Sequence, residues 1–249
     1  MTMLEVRNVT KRFGNLVAVK DVSMSVKQGE LRAIIGPNGA GKTTFFNMIS
    51  GYFAPTTGSI LFDGKDVTQI PAHRRVGLGM GRTFQITEIF PELTVHENVL
   101  TAAEVAAGQT LNMLPGRAAT KLANDVAAEM LALVGLAGKA DRLVGELAHG
   151  DQRTTEIAMA LAQMPRLLLL DEPTAGMGDQ ETYEITTLIR RLHRESNYTI
   201  VLIEHDMRVV FHLADYITVL DQGRMLAQGT PQEIAASEPV QAAYLGEAG

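Results

Sequence analysis

The stretch Gly36-Pro37-Asn38-Gly39-Ala40-Gly41-Lys42-Thr43-Thr44 constrains this chain more than any other, because it fits the spacing G-x-x-x-x-G-K-[ST] of a phosphate-cradling P-loop. It follows an apolar run, Leu31 to Ile35, and precedes a helix-compatible one, Thr44 to Ile49, which is the strand, loop and helix setting that such a loop requires. Gly36, Gly39 and Gly41 let the backbone adopt positive φ and approach a ligand closely, so that consecutive N–H groups turn inward around an anion. A helix N-terminus at the same place adds the favourable end of a dipole. Lys42 then reaches the β- and γ-phosphates, and Thr43 offers a hydroxyl to Mg²⁺, a cation that prefers hard oxygen ligands. Thr44 is expected to start the helix. The plainer alternative is a glycine-rich turn ahead of a helix that happens to carry a lysine.

At 249 residues the chain is long enough for one α/β domain, or for a main domain carrying an insert. It has no cysteine, which excludes disulfides and thiolate metal sites. Glu5 and Arg7 fall where a signal peptide would need its apolar core, and no apolar run approaches the ~18 residues of a membrane span. The expectation is a chain that remains in the cytoplasm and reaches any membrane through a partner. The formal net charge of −6, without a basic block, disfavours nucleic acid as a partner. The small basic cluster His73-Arg74-Arg75 with Arg82 reads as a solvated face.

Along the chain, Leu4/Val6 with Val9, then Val22/Met24/Val26, then Leu31/Ala33 to Ile35 have the period-2 spacing of strands, and Lys27-Gln28-Gly29-Glu30 between the last two looks like a hairpin turn. Arg12-Phe13-Gly14 reads as a polar loop, in which Phe13 either stacks on a flat ligand such as adenine or makes a satellite core contact. Ser59 to Phe62 reads as a strand ending in Asp63-Gly64. From about residue 96 to 164 the pattern is helical, with Leu122, Val126, Met130, Leu133 and Val134 at helical spacing and Gly135 as a stop. Leu167 to Leu170 has the continuous apolar character of a buried parallel strand and ends in Asp171-Glu172-Pro173. A helix is expected at about 180–194, with Ile185, Leu188, Ile189 and Leu192 on one face, then a strand from Thr199 to Ile203 that ends in Glu204-His205-Asp206. A hairpin, Tyr216 to Leu220 with Met225 to Gln228, precedes a helix begun by Pro231.

Ligands of parallel sheets gather at the carboxyl ends of the strands, where the P-loop, Asp171, Glu172 and His205 are all expected. Successive strand residues point opposite ways, so Asp171 can hold Mg²⁺ while Glu172 faces the γ-phosphate and orients an attacking water. An acidic pair that merely caps the next helix is the alternative. Gln85, on a loop, suits a water or metal contact or else faces solvent, and His205 is either a phosphate contact or a satisfied loop-end histidine.

Together these motifs resemble the ATP-binding subunit of an ABC transporter, over essentially the whole chain. Phe13 matches the family's adenine-stacking aromatic, Gly36–Thr44 its Walker A, Gln85 its Q-loop, Leu167–Glu172 its Walker B with the catalytic Glu, and His205 its switch histidine. The signature usually written LSGGQ corresponds to Leu147-Ala148-His149-Gly150-Asp151, followed by Gln152-Arg153. The resemblance implies an α/β fold: a P-loop NTPase core, made of a RecA-like parallel sheet and an antiparallel β subdomain, with an inserted helical subdomain. It implies one nucleotide-binding domain over residues 1–249, with 1–84 and 165–249 as the core and 85–164 as the Q-loop and helical signature part. The implied cofactors are ATP and Mg²⁺. Glu172, His205 and Gln85 are the implied catalytic residues, and Thr43, Gln85 and Asp171 the metal-binding ones. In such proteins two subunits pair head to tail, so that Ala148, His149 and Gly150 meet the nucleotide held by the other subunit.

Two positions depart from the family pattern. Ala148 replaces the signature's serine and removes a hydroxyl donor, and Gly178 stands where the D-loop commonly has an aspartate. Arg82-Thr83-Phe84-Gln85, the run from Ile89 to Asn98, Glu204-His205-Asp206-Met207 and Tyr244-Leu245-Gly246-Glu247 look like importer subunits for branched-chain and other hydrophobic amino acids. Urea-importer ATPases are similar, and a soluble ABC ATPase without a transporter is the alternative of a different class. The implied partners are a second ATP-binding subunit, identical or related, integral-membrane permease subunits and, indirectly, a substrate-binding protein.

Overall fold

The computed structural model describes residues 1–83, 89–106 and 117–245. They form two compact units, Met1–Arg75 with Ile189–Gly249, and Val76–Leu188.

The first unit opens with the antiparallel strands β1 (Thr2–Phe13) and β2 (Leu16–Lys27), joined by a tight turn at Gly14-Asn15. Leu4, Val6, Val22, Met24 and Val26 are buried, and the residues between them mostly face solvent, as one-sided burial of an antiparallel sheet demands. Phe13 therefore ends a strand instead of sitting in a polar loop. β3 (Leu31–Ile35) is buried throughout. The expected hairpin at Lys27–Glu30 is not one: β2 pairs with β1, whereas β3 pairs with later strands, so the turn links two sheets. Burial on both faces sends β3 to a central position that the half-exposed β2 cannot share.

Next come α1 (Lys42–Ser50), β4 (Thr57–Phe62), β5 (Lys65–Asp66) and α2 (Ala72–Val76). α1 begins at Lys42, two residues before Thr44, and closes on Gly51 in the left-handed conformation. β4 pairs with β1, giving a sheet of order β2-β1-β4-β5. Arg75, expected on a solvated face, is instead fully buried and donates to the carbonyls of Ile70, Met48, Ile49, Val67 and Thr68 at 2.6–3.3 Å. It thereby gives the Ile49 carbonyl near the end of α1 a donor and adds a second one to that of Met48, which also accepts from the Gly51 N–H at 3.2 Å. Burial brings its pKa down to about 10, against a small opposing pull from Asp66. His73 and Arg74 are exposed, as expected.

In the second unit β6 (Met80–Arg82) is followed by α3 (Val95–Ala106), α4 (Arg117–Val134), α5 (His149–Ala162) and β7 (Leu167–Asp171), which runs parallel to β6. Thr94 and Glu97 form a reciprocal capping pair that starts α3. The three helices pack on one another. Ala123, Ala127, Met130, Leu131 and Val134 are the buried face of α4, whereas Leu122, expected on that face, is exposed, because the buried stripe runs through its neighbour Ala123. Gly135 ends α4 with φ 84°, as its position predicts.

α6 (Asp179–Arg194) begins in the second unit and ends in the first, which continues with β8 (Thr199–Ile203), α7 (Met207–Leu213), β9 (Tyr216–Asp221), β10 (Arg224–Gly229), α8 (Pro231–Ala235) and α9 (Glu238–Leu245). β3 lies between β8 and β9, parallel to both, and β10 adds antiparallel to β9. Pro231 opens α8 beside a capping box of Thr230 and Glu233. Asp215 ties this unit together: it accepts from the Leu31 N–H at the start of β3, and it pairs with His193 and Arg194 at the end of α6.

Candidate active site

The P-loop leaves the buried end of β3 and enters α1 directly. Two of its glycines are required by contacts: a methyl group on Gly36 would lie 2.0 Å from the Leu220 carbonyl oxygen, and one on Gly41 would lie 2.6 Å from that of Ala18. Asn38 is exposed, and a methyl group on Gly39 would, by contrast, meet nothing. Lys42 is buried and folds over the loop, its Nζ donating to the carbonyls of Gly36 at 2.6 Å and Pro37 at 2.9 Å. No side chain caps the N-terminus of α1, and its first turn has no acidic residue, so its positive end is left for an anion. Thr43 is exposed and Thr44 half-buried.

The same edge carries His205. It follows β8, which runs parallel to β3, so both strands deliver their carboxyl ends to one side. Its side chain is exposed, while its N–H donates to the buried Glu204 carboxylate at 3.1 Å. Asp206 caps α7 by accepting from the Arg208 N–H. Phe13, at the end of β1, meets Phe53 edge-on at 5.5 Å with the Lys11 ammonium above both rings, and it remains 47% exposed. It thus has the satellite contact and keeps ring surface for stacking.

In the second unit β7 ends at Asp171, which is buried. Arg82, at the end of β6, donates to Asp171 Oδ2 at 3.0 Å, so Arg82 too leaves the solvated face assigned to it. Asp171 Oδ1 is buried with no hydrogen-bond partner among the described residues. Burial raises the Asp171 pKa, with Arg82 opposing and Glu172 adding to the rise. A buried carboxylate with one oxygen left over is a fitting ligand for Mg²⁺.

Glu172 departs from the strand geometry expected of it. Its φ is 48°, a conformation that costs a non-glycine residue on the order of 1–3 kcal/mol. The chain therefore kinks at Glu172 instead of continuing the pleat of β7. Arg153, from the first turns of α5, donates through Nη2 to the Asp171 carbonyl at 2.5 Å and to the Glu172 carbonyl at 3.2 Å. Its Nη1 pairs with Glu156. Arg82 and Glu156 also line a cavity of about 270 Å³, with Phe90, Met159 and Gln163.

α5 begins at His149, with Ala148 as a cap residue that has no side chain to offer. The Gly150 N–H instead donates to Glu181 Oε1 of α6 at 3.0 Å. His149 is exposed, and Asp151 is paired with Lys139.

Residues 19–175 match the family model described as ABC transporter, and residues 224–249 match that of the branched-chain amino acid ATP-binding cassette transporter. The chain is 43% identical to the high-affinity branched-chain amino acid transport ATP-binding protein BraF of Pseudomonas aeruginosa, covering 99% of this chain and 98% of that protein. It is 42% identical to LivG of Escherichia coli strain K12, a protein of the same description, over equal shares. This chain belongs to the ABC transporter family as an ATP-binding subunit. A crystallised ATP-binding cassette of an ABC transporter in its ADP conformation superposes with TM-score 0.88 at 30% identity, over 99% of both chains. A dimeric cassette bound to ADP and Pi gives TM-score 0.76 at 27% identity, over 92% of this chain and 99% of that one.

The fold is thus the ABC ATPase cassette that the motifs imply, and the cassette binds nucleotide. Gln85 lies outside the described residues. Three residues of this cassette escaped sequence reasoning. Arg153 stands beside the quoted signature, but nothing local marks it as buried, since a charge pair three residues apart belongs as readily to an exposed helix face. Glu181 and Gly223, whose N–H donates to the P-loop carbonyl of Ala40 at 3.1 Å, meet their partners through tertiary contacts that leave no local signal.

Proposed function

We propose that this cassette is the ATP-hydrolysing subunit of an importer for branched-chain or other hydrophobic amino acids. The observation that carries the ATPase half is the uncapped start of α1 beneath an open loop, with the Lys42 ammonium drawn over it. The cargo class follows the names of BraF and LivG. In this reading the amides of Gly36–Thr44 and Lys42 hold the phosphate tail, and Phe13 stacks on the adenine. Thr43, Asp171 and Gln85 would hold Mg²⁺, which would neutralise charge on the phosphates. Glu172 takes a proton from the attacking water, and His205 steadies the terminal phosphoryl group. Ala148, His149 and Gly150 present the start of α5 to nucleotide held by a second ATP-binding subunit. Residues 1–84 and 165–249 act as the catalytic core and 85–164 as the part that meets the permease.

Among the described residues no helix is long and apolar enough to cross a membrane; attachment to the inner face of the cell membrane through integral permease subunits belongs to the same reading, supported by the names of BraF and LivG. Affinity purification of the full-length chain from native membranes tests this: an integral permease pair is expected, and recovery with ribosomes or DNA would overturn it. The hydrolytic role is tested by Glu172→Gln, which should slow hydrolysis by roughly 10²–10⁴-fold, the usual worth of a positioned base, while ATP still binds.

A further inference from the structure

We infer that Arg153 is a positioning residue for Glu172: one guanidinium, rooted in the helix that begins at the signature, fixes the backbone that aims this carboxylate. The inference rests on the reading of Glu172 as the residue that activates water.

The carbonyls of Asp171 and Glu172 are consecutive, and in an extended strand they would face opposite ways. The positive φ of Glu172 brings both within reach of a single Nη2. The Glu172 carbonyl also accepts from the Ala175 N–H at 3.1 Å, so the kinked peptide is held from two directions. Arg153 and Glu156 are each 6% exposed, so water cannot readily replace the lost donors. A guanidinium suits the task because its planar fork can serve Glu156 with one nitrogen and two backbone oxygens with the other. An ammonium offers no such fixed fork.

A buried ion pair is by itself weak evidence of a contribution to stability, since desolvation offsets much of the attraction. Its placement against the one strained residue beside Asp171 is what points to aim. A strained backbone persists only where its surroundings over-determine it, and Arg153 supplies that constraint. The same guanidinium joins the helix that starts at Ala148–Gly150 to the peptide that carries Glu172, so tilting of α5 would be felt at the carboxylate.

Arg153→Lys in the full-length chain tests this, with ATP hydrolysis, KM for ATP and thermal melting measured together. A loss of aim of about 1 Å costs up to ~10²-fold, so kcat should fall by roughly 10–10². KM should stay within about twofold, the pattern of an interaction that matters in the transition state. In a Glu172→Gln background the same substitution should slow hydrolysis no further, because the group being aimed is gone. An unchanged kcat, or an equal loss in both backgrounds, would overturn the inference. If Arg153→Lys fails to fold, Glu156→Gln keeps the shape and frees the guanidinium, and should give a smaller loss with the same dependence on Glu172; no loss, or one independent of Glu172, overturns the inference equally. Failure of the underlying reading looks different: Glu172→Gln alone would leave hydrolysis unchanged.

Discussion

Lys42 is the residue at which the proposed phosphate binding and the loop geometry coincide. Its ammonium already spans the carbonyls of Gly36 and Pro37, so it holds the loop in shape before any phosphate arrives. A hydrogen bond to a charged group is worth about 1.5–3 kcal/mol, and Lys42→Ala should therefore weaken ATP binding by at least roughly tenfold in a nucleotide titration. Unchanged affinity would contradict the cradle. Glu172 raises the opposite issue, since its backbone is strained where glycine would not be. Glu172→Gly should raise the denaturation midpoint by an amount corresponding to about 1 kcal/mol while hydrolysis is lost. A drop in stability would mean that its side-chain contacts outweigh the strain. Such a trade between stability and activity is common where a site stores strain.

Among elements, the ends of α1 are held in different ways. Its start is left for phosphate, and its finish is closed by Arg75, which no local pattern announced. Arg75→Ala would take from the buried Ile49 carbonyl its donor and from Met48 and Val67 a second one, their oxygens keeping the Gly51 and Ile70 N–H groups, and should cost roughly 1–3 kcal/mol in a urea titration. A loss below 1 kcal/mol would show that water fills the gap. Asp215 performs a comparable task for β3 and the end of α6. Burial pushes its carboxyl up, but bonds from His193, the Leu31 N–H and Arg194 outweigh this and leave the pKa below the ordinary 3.8. A depressed folded-state pKa contributes stability that is present above the ordinary value and lost as pH falls through the folded one. Asp215→Asn should therefore be destabilising at about pH 7, by roughly 1–3 kcal/mol, and nearly neutral once acid has protonated the wild-type carboxyl. Melting curves of both proteins across that range decide the matter.

For the whole molecule, what could be read in advance was whatever local chemistry dictates. The P-loop, the strands Leu167–Asp171 and Thr199–Ile203, the stop at Gly135 and the buried face of α6 all follow from short-range spacing, and the structure has them. What escaped was tertiary. Arg75 and Arg82 look like any surface arginine until their acceptors are seen, Lys27–Glu30 looks like a hairpin until β3 finds other neighbours, and the kink at Glu172 has no glycine to announce it. The dimeric cassette relative leads to a prediction at this scale: Glu172→Gln with ATP should accumulate a species of twice the monomer mass in light scattering, and a strictly monomeric profile would count against nucleotide-driven pairing. Gly223 has a further bearing on the whole. It turns the last hairpin against Ala40 and Ala18, so the phosphate loop is propped by a segment lying far along the chain. Removing the final strands would therefore silence ATP binding although every motif residue survived, and adding ATP should slow deuterium uptake at the Gly223 amide, which reports on the loop through Ala40.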